Sequence, residues 1–242
     1  MTAEKPRYER VILKVSGESF CPPGGFGVQR TPLDRVSEEI SGVVELGVQV
    51  AIVVGGGNFL RGADFADELG IERATADYMG MLGTVLNAMA LQEALQRRGH
   101  ETRIQSSLAV ARVCESFERG RCLRHLEKGR VVVLSAGTGN PHVTTDSGAS
   151  IRGVELGADV LLKGTKVDGV YDADPKTNPN AKMYTNVTYE QVINDRLRVI
   201  DIGAAEMCER FRLPVIVFNL FEPGTLRRVV LGEPLGTRMG PA

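Results

Sequence analysis

The chain of 242 residues contains no tryptophan, and aromatic residues make up only 5% of it. Because aromatic side chains are what stack against exposed bases, a stacking platform for nucleic acid is not expected. The formal net charge is −1, from 29 basic and 30 acidic residues, so general electrostatic binding to nucleic acid is not indicated either. Any attraction for an anionic ligand must therefore come from a focused site.

Paired cysteines and long apolar runs are also missing. Cys21, Cys114, Cys122 and Cys208 form no C-x-x-C motif, which argues against a structural zinc site or a disulfide framework and favours reduced thiols in the cytoplasm. No apolar run approaches the roughly 20 residues that span a membrane, and the N-terminal segment MTAEKPRYER has no apolar signal region. We therefore expect a cytoplasmic protein with neither a membrane nor a nucleic-acid partner.

Apolar strand patterns alternate with helix patterns along the chain. Strands are predicted at residues 11–15, 48–54, 102–105, 130–134, 159–162 and 214–218. Helices are predicted at about residues 32–45, 74–97, 118–127, 147–156, 206–211 and 224–230, with a further helical stretch after Asn58. This order predicts an α/β fold with a mostly parallel central sheet and helices on both faces. Residues 163–184 are polar and rich in turn dipeptides, so we expect a β-hairpin flap there.

Three predicted strands end in glycine-rich turns, at residues 14–17, 55–62 and 135–150. Unpaired backbone N–H groups and the helix dipole make a strand-to-helix turn a good anion site. In a parallel sheet such turns open at one edge, so we expect one extended site for a ligand with several phosphates. Neither G-x-x-x-x-G-K-[ST] nor a strand-following G-x-G-x-x-G is present, and the site must combine glycine backbone with separate lysines.

The motifs on these turns resemble those of the bacterial-type UMP kinases in the amino-acid-kinase superfamily. The matching segments follow the family's order over nearly the whole chain. They read LKVSGESF, GGGNFLRG, ADYMGMLGTVLNAMALQEAL, VLSAGTGNPHVTTDSGASIRGVELGADVLLKGTKVDGVYDADP and VFNL. The TGNPHVTTDSG block and the DYMGM helix are specific to the family, whereas KVSG and KVDGVY are shared more loosely with its relatives.

This resemblance implies that the protein transfers the γ-phosphoryl group of ATP to UMP, giving UDP and ADP in pyrimidine nucleotide biosynthesis. It also implies a homohexamer, activation by GTP, inhibition by UTP, and Mg²⁺ bridging the ATP phosphates, with unknown protein ligands. We expect a single domain over residues 1–242. Its acceptor-site lobe would extend to about residue 160 and its ATP-site lobe over residues 161–242.

Four charged residues carry catalytic roles by resemblance. Lys14 would reach the transferring phosphoryl group, with a solvated surface lysine as the plain alternative. Lys163 would be the second cation, and Arg61 would grip phosphate with two parallel hydrogen bonds. Asp146 would orient the lysines or meet Mg²⁺; alternatively, it only caps the helix that follows, a role worth about 1 kcal/mol.

The resemblance also implies three sets of binding residues. The ATP set is Lys14, Val15, Ser16, Gly17, Gly57, Arg61, Thr165, Tyr171 and Asp174. The UMP set is Gly56, Asp77, Thr138, Gly139, Asn140, Pro141, His142, Val143, Thr144 and Thr145. The set linked to GTP, which matches less closely, is Pro22, Pro23, Gly24, Gly25, Phe26 and Gly27. His142-Val143 stands where relatives often carry apolar or aromatic residues, which leaves the packing of that loop open.

Two other functions are compatible with the same fold. One is a sister kinase that phosphorylates a carboxylate such as acetylglutamate or aspartate, and the TGNPHVTT block speaks against it. The other is a nucleotide-binding protein without catalysis. Loss of Lys14 or Asp146 would have favoured that function, and both residues are present.

Overall fold

A nine-stranded sheet lies at the centre of the computed structural model, which describes residues 5–60, 70–175, 177–197 and 199–241. Its strands, in chain order, are β1 (Arg10–Val15), β2 (Gln49–Val54), β3 (Thr102–Ser106), β4 (Glu115–Ser116), β5 (Val131–Ser135), β6 (Val160–Thr165), β9 (Asn186–Thr188), β10 (Val215–Asn219) and β11 (Thr237–Gly240). They lie in the order β4-β3-β5-β2-β1-β6-β10-β11-β9. Neighbours are parallel except β10 and β11.

The helices cover both faces of this sheet. They are α1 (Arg30–Val44), α2 (Arg73–Arg97), α3 (Arg119–Glu127), α4 (Thr145–Leu156), α5 (Tyr189–Asn194), α6 (Ile202–Arg210) and α7 (Thr225–Val230), with a 3-10 turn at Gly17–Phe20. One apolar core lies under α1, α2 and α7, and a second lies under α3, α4, α5 and α6. The predicted fold is confirmed, including the flap, where β7 (Val170–Tyr171) pairs antiparallel with β8 (Met183–Tyr184).

The central strands are continuous runs of β-branched and aliphatic residues. In β2, every residue from Val50 to Val54 is 2% exposed or less, because alternate side chains pack into the two cores on opposite faces. The short strands β4, β9 and β11 and the short helix α5 were not predicted. The predicted helix at 206–211 begins earlier, at Ile202, because the Asp201 side chain accepts a hydrogen bond from the Ala204 N–H at 2.8 Å.

Helix α2 is apolar on two sides. Leu82, Leu86 and Met89 belong to the apolar pattern of the predicted helix at 74–97, yet they are 50%, 50% and 38% exposed. The buried side instead carries Val85, Leu91 and several small or polar residues. None of the helices in the described ranges is both long and apolar enough to cross a membrane. The helical stretch predicted after Asn58 falls mainly on residues 61–69, outside the described residues, and the division into two lobes stays a prediction.

Candidate active site

Two lysines and one aspartate meet at the carboxyl edge of the sheet. Strands β1 and β6 are parallel neighbours, and their register places Lys14 beside Lys163. Asp146 lies in the first turn of α4. Its Oδ1 is 3.0 Å from Lys14 Nζ and its Oδ2 is 2.5 Å from Lys163 Nζ. A single carboxylate therefore bridges two ammonium groups.

The environment of this cluster shifts the pKa values of Asp146 and Lys163. Burial raises the pKa of the Asp146 carboxyl, but the two lysines outweigh burial, and the net pKa lies below its ordinary value. Burial lowers the pKa of the Lys163 ammonium, and the positive charge of Lys14 adds to that effect against the attraction of Asp146. At neutral pH the carboxylate is therefore ionised and holds both lysines in place.

Asp146 is not the capping residue of α4. The Thr144 hydroxyl accepts hydrogen bonds from the backbone N–H groups of Asp146 and Ser147, at 3.1 and 3.2 Å. Thr144 in turn donates to Asp201, which also accepts a hydrogen bond from the Ser147 hydroxyl at 3.0 Å. The alternative that Asp146 serves only as a helix cap is therefore wrong, and its carboxylate is left to the lysines.

The first two glycine-rich turns pack directly against each other. A Cβ added to Gly17 would lie 2.6 Å from the Gly57 nitrogen, and one added to Gly56 would lie 2.4 Å from the Gly80 carbonyl oxygen. Side chains are excluded at both positions because one backbone passes against another. The structure thus brings Gly17, Gly56 and Gly57 of the predicted set together beside Lys14.

The loop between β5 and α4 has an unusual backbone. Ala136, Gly137, Gly139 and His142 have φ angles of 60°, 52°, 80° and 64°, in the left-handed region that costs a residue with a Cβ about 1–2 kcal/mol. Such a conformation persists only where the surroundings fix it. The loop carries the predicted block from Thr138 to Thr144, and Thr145 begins α4.

Side chains from three other elements hold this loop. The Thr84 hydroxyl accepts from the Ala136 N–H at 2.6 Å, and the Ser107 hydroxyl donates to the Gly137 carbonyl at 2.8 Å. Arg152 donates to the same Ser107 hydroxyl at 2.9 Å. Sequence analysis missed Thr84, Ser107 and Arg152. Of these, only Thr84 carried a signal, as a polar residue within the apolar pattern of α2.

Asp77 ties helix α2 to the same loop. Its Oδ2 accepts from the His142 N–H at 2.8 Å, and its Oδ1 accepts from Arg73 at 2.9 Å. Burial raises the pKa of the Asp77 carboxyl, but these two donors outweigh burial and hold the net pKa below its ordinary value. Two predicted acceptor-site residues, Asp77 and His142, are thereby in direct contact.

A cavity of about 690 Å³ borders the two lysines. Its wall contains five residues of the predicted ATP set, with Lys163 and several residues that sequence analysis missed. The predicted ones are Lys14, Ser16, Thr165, Tyr171 and Asp174, and the missed ones include Leu197, Val199 and Phe221. The missed residues follow no strand or helix pattern, and the fold alone brings them here. Walls of mixed polar and apolar residues, with two lysines among them, suit a nucleotide.

Some predicted site residues lie away from the 690 Å³ cavity, and one falls outside the described residues. Arg61 falls outside the described residues. Residues 22–27 lie away from the 690 Å³ cavity and reach the glycine-rich turns through Gly27, whose N–H donates to the Asn58 carbonyl at 2.9 Å. Pro22 and Pro23 line a separate cavity of about 540 Å³, together with Arg35 and Lys166. Within the described ranges, no group of three or more His, Cys, Asp or Glu side chains is arranged to hold a metal ion.

Comparison with known proteins defines the class. The sequence pattern of the amino acid kinase family matches residues 9–219, and the chain belongs to this family. A uridylate kinase of Methylococcus capsulatus is 48% identical over 96% of this chain and 97% of its own length. The UMP kinase structure from Bacillus anthracis has a TM-score of 0.94 at 38% identity, covering 96% of each chain. That from Ureaplasma parvum has 0.89 at 32%, covering 97% of this chain and 99% of its own.

These relatives confirm the resemblance to bacterial-type UMP kinases and the predicted α/β fold. They also confirm the predicted enzyme class, a nucleoside monophosphate kinase, which is a phosphotransferase.

Proposed function

We propose that this enzyme transfers the γ-phosphoryl group of ATP to UMP, giving UDP and ADP. The carrying observation is the bridge of Lys14, Asp146 and Lys163, whose lysines line the 690 Å³ cavity and whose aspartate follows the 136–144 loop in the first turn of α4. The similarity to uridylate kinases over almost the full length of the chain supports the choice of acceptor.

The reaction needs positioning and charge neutralisation more than covalent assistance. A phosphate oxygen of UMP forms the new bond to the γ-phosphorus, and the bond from that phosphorus to the β–γ bridging oxygen breaks, so ADP leaves with the electron pair. The second pKa of a phosphate monoester is about 6, so UMP is already largely dianionic at neutral pH and needs no general base. Lys14 and Lys163 would neutralise the charge of the transferring group.

Asp146 keeps these lysines close together when no phosphate is bound. Two ammonium groups repel each other, and the carboxylate between them holds both within ion-pair distance. Magnesium bound to ATP would add further positive charge at the phosphates. Mg²⁺ keeps several of its waters and needs few protein ligands. Asp146 supplies the carboxylate of this cluster, so it is the residue that would hold the ion. This arrangement fits a cation delivered with the nucleotide.

The acceptor side is built to read a nucleotide. The ionised Asp77 would accept hydrogen bonds from the ribose, and the loop from Thr138 to Thr145 would bind the uracil and the phosphate. Fixed backbone partners discriminate well, because a mismatched base leaves buried groups unpaired. We therefore expect a preference for UMP over CMP.

Regulation and assembly form a further part of the proposal. GTP would activate through residues 22–27, and the neighbouring cavity with Arg35 and Lys166 on its wall suits an anionic effector. UTP would inhibit as an analogue of the product.

A homohexamer would cover the exposed apolar stripe of α2, formed by Tyr78, Leu82, Leu86 and Met89. The four free thiols fit a cytoplasmic location.

An ADP-coupled assay with UMP, CMP, dUMP and acetylglutamate tests the proposal. We expect turnover with UMP well above the other acceptors. Similar rates for CMP and UMP would contradict the acceptor assignment, and phosphorylation of acetylglutamate would favour the sister kinases. Nucleotide binding without turnover of any acceptor would favour the binding protein.

Variants of Lys14 test the catalytic assignment within the same assay. Lys14→Ala should lower kcat by roughly 10²–10³, the usual value of one preorganised group aimed at developing charge. Lys14→Arg should restore only part of it, because a planar guanidinium cannot replace a compact ammonium. Lys128→Ala, at an exposed position near the opposite edge of the sheet, is the matched control and should keep its kcat. A normal kcat in Lys14→Ala would contradict the assignment.

A further inference from the structure

Two buried asparagine side chains face each other beside the glycine-rich turns. Asn58 is 3% exposed and Asn87 is fully buried. The Asn58 Nδ2 donates to Asn87 Oδ1 at 2.9 Å, and the Asn87 Nδ2 donates to Asn58 Oδ1 at 2.7 Å. The two amides thus form a reciprocal pair, which joins the 55–58 turn to the middle of α2.

Each amide uses its second N–H on a backbone carbonyl of a glycine. Asn58 donates to Gly27 at 2.8 Å, and Asn87 donates to Gly55 at 2.7 Å. Gly27 also donates its own N–H to the Asn58 carbonyl at 2.9 Å. An NH₂ group carries two donor hydrogens, so both amides are fully used. The pair therefore fixes three segments to one another: the end of the 22–27 segment, the 55–57 turn and α2.

The same pair sets the spacing of the phosphate-binding turns. Gly55 donates its N–H to the Val15 carbonyl at 2.8 Å. A Cβ on Gly17 would lie 2.5 Å from Asn58 Oδ1 and 2.6 Å from the Gly57 nitrogen. The turn after Lys14, the 55–57 turn and the amide pair are therefore in direct contact, and a shift of the pair displaces backbone next to a catalytic lysine.

We propose that Asn58 and Asn87 are positioning residues for phosphoryl transfer, which hold the 55–57 turn at a fixed distance from the turn that follows Lys14. The inference rests on the proposed function of the site. Apolar residues of the same size would fill the space, but they would leave the carbonyls of Gly27 and Gly55 without donors. Amides at both positions give these glycine turns a defined position, which an apolar contact does not.

The test compares Asn87→Ser with Leu91→Ala, a buried position one turn further along α2. Both variants should lower the melting temperature. Misplacing a reacting group by about 1 Å costs on the order of 10²-fold in rate, so we expect kcat of Asn87→Ser to fall 10–100-fold below that of Leu91→Ala. The rates are measured at a temperature where both proteins are folded, and the KM values for UMP and ATP should change by only a few fold.

A second measurement uses an acidic replacement of nearly the same shape. In Asn87→Asp, the ionised carboxylate has no donor for Gly55 or Asn58, whereas the protonated carboxyl has one. The kcat of Asn87→Asp relative to the wild-type protein should therefore rise as the pH is lowered from 8 to 6, and that of Asn87→Ser should not. If Asn87→Asp does not fold, the double variant Asn58→Ser/Asn87→Ser replaces it and should be little slower than the slower single variant.

Several results would overturn the inference. Equal kcat values for Asn87→Ser and Leu91→Ala would assign the pair to stability alone, and additive effects in the double variant would show that the two amides do not act as one unit. A kcat ratio for Asn87→Asp that does not change with pH would count equally against it. A wild-type protein that does not phosphorylate UMP would overturn the proposed function together with this inference. If the wild-type protein phosphorylates UMP but Asn87→Ser and Leu91→Ala have equal kcat values, this inference alone is overturned.

Discussion

Replacing Asp146 by asparagine removes the negative charge between Lys14 and Lys163 with little change of shape. At 3.0 and 2.5 Å, and with an effective dielectric constant near 20, each ion pair carries roughly 5–7 kcal/mol of Coulomb attraction. Desolvation offsets much of this, because all three side chains are only 11–14% exposed. Removing one partner leaves buried charge uncompensated, and such a change costs about 3–5 kcal/mol. We expect the free energy of unfolding to fall by that amount.

Thermal unfolding with and without AMP-PNP provides the assay. A change of 1 kcal/mol shifts Tm by about 2–4 °C in chains of about this size, so the unliganded Asp146→Asn variant should melt about 6–20 °C below the wild-type protein. AMP-PNP should raise the Tm of the variant more than that of the wild-type protein, because its phosphates supply the missing negative charge. The control is Asp34→Asn, whose carboxylate forms only half-exposed surface pairs and should change stability by at most about 1 kcal/mol.

The pH dependence follows from the lowered pKa of Asp146. A carboxylate whose pKa is lower in the folded state stabilises the protein above its ordinary pKa, here 3.8, and that contribution disappears as the pH falls through the folded value. The difference in Tm between wild-type protein and variant should therefore persist from pH 5 to 8 and shrink in stronger acid. An unchanged Tm without ligand, or equal shifts with AMP-PNP, would refute this account of the site.

Three further results are expected. Burial lowers the pKa of Lys163 below its ordinary 10.5, so the wild-type kcat should fall as the pH is raised toward that value, while Lys163→Arg keeps its charge; pH–rate profiles that stay parallel would contradict this. Ser107→Ala removes the donor to Gly137 and should raise KM for UMP about tenfold, the equivalent of one hydrogen bond, whereas a rise confined to KM for ATP would count against it. Phe26→Ala should flatten the activation curve for GTP, with the exposed Phe211→Ala as control, and identical curves for both variants would remove Phe26 from the mechanism.

The sequence predicts the central strands of the sheet well and its outer strands at both edges poorly. Strands such as β2 carry their own signal, because a strand buried on both faces must be apolar throughout. β9, at the far edge of the sheet, is three residues long and carries no comparable run. The exposure of the apolar stripe on α2 was not predicted for a different reason. Periodicity identifies an apolar face, but it does not say whether that face meets the core or another surface.

The residues of the site also fall into those that the sequence predicts and those that it does not. Lys14 and Lys163 were predicted from the family resemblance and from their places near the ends of apolar strands, and the register of β1 and β6 places them side by side. Thr84 and Asn87 were missed because each forms a hydrogen bond with a group that is distant in the sequence. The Ala136 N–H that donates to Thr84 is 52 residues away, and the Asn58 amide that donates to Asn87 is 29 residues away. Their signal was present, since both are polar residues on the buried side of an otherwise apolar helix. A buried polar group requires a partner, but the sequence does not name that partner.

The order of the strands explains why two nucleotides can meet at one pair of lysines. β2 and β5, which precede the 55–57 turn and the 136–144 loop, lie on one side of β1, while β6 and β10 lie on the other. Loops that leave the carboxyl ends therefore diverge between β1 and β6, and such a reversal of strand order opens a crevice at the sheet edge. Lys14 and Lys163 lie near the carboxyl ends of the two strands that border this crevice. An acceptor held by the loops of one half and ATP held by those of the other would therefore approach from opposite sides, which is the in-line geometry that phosphoryl transfer requires.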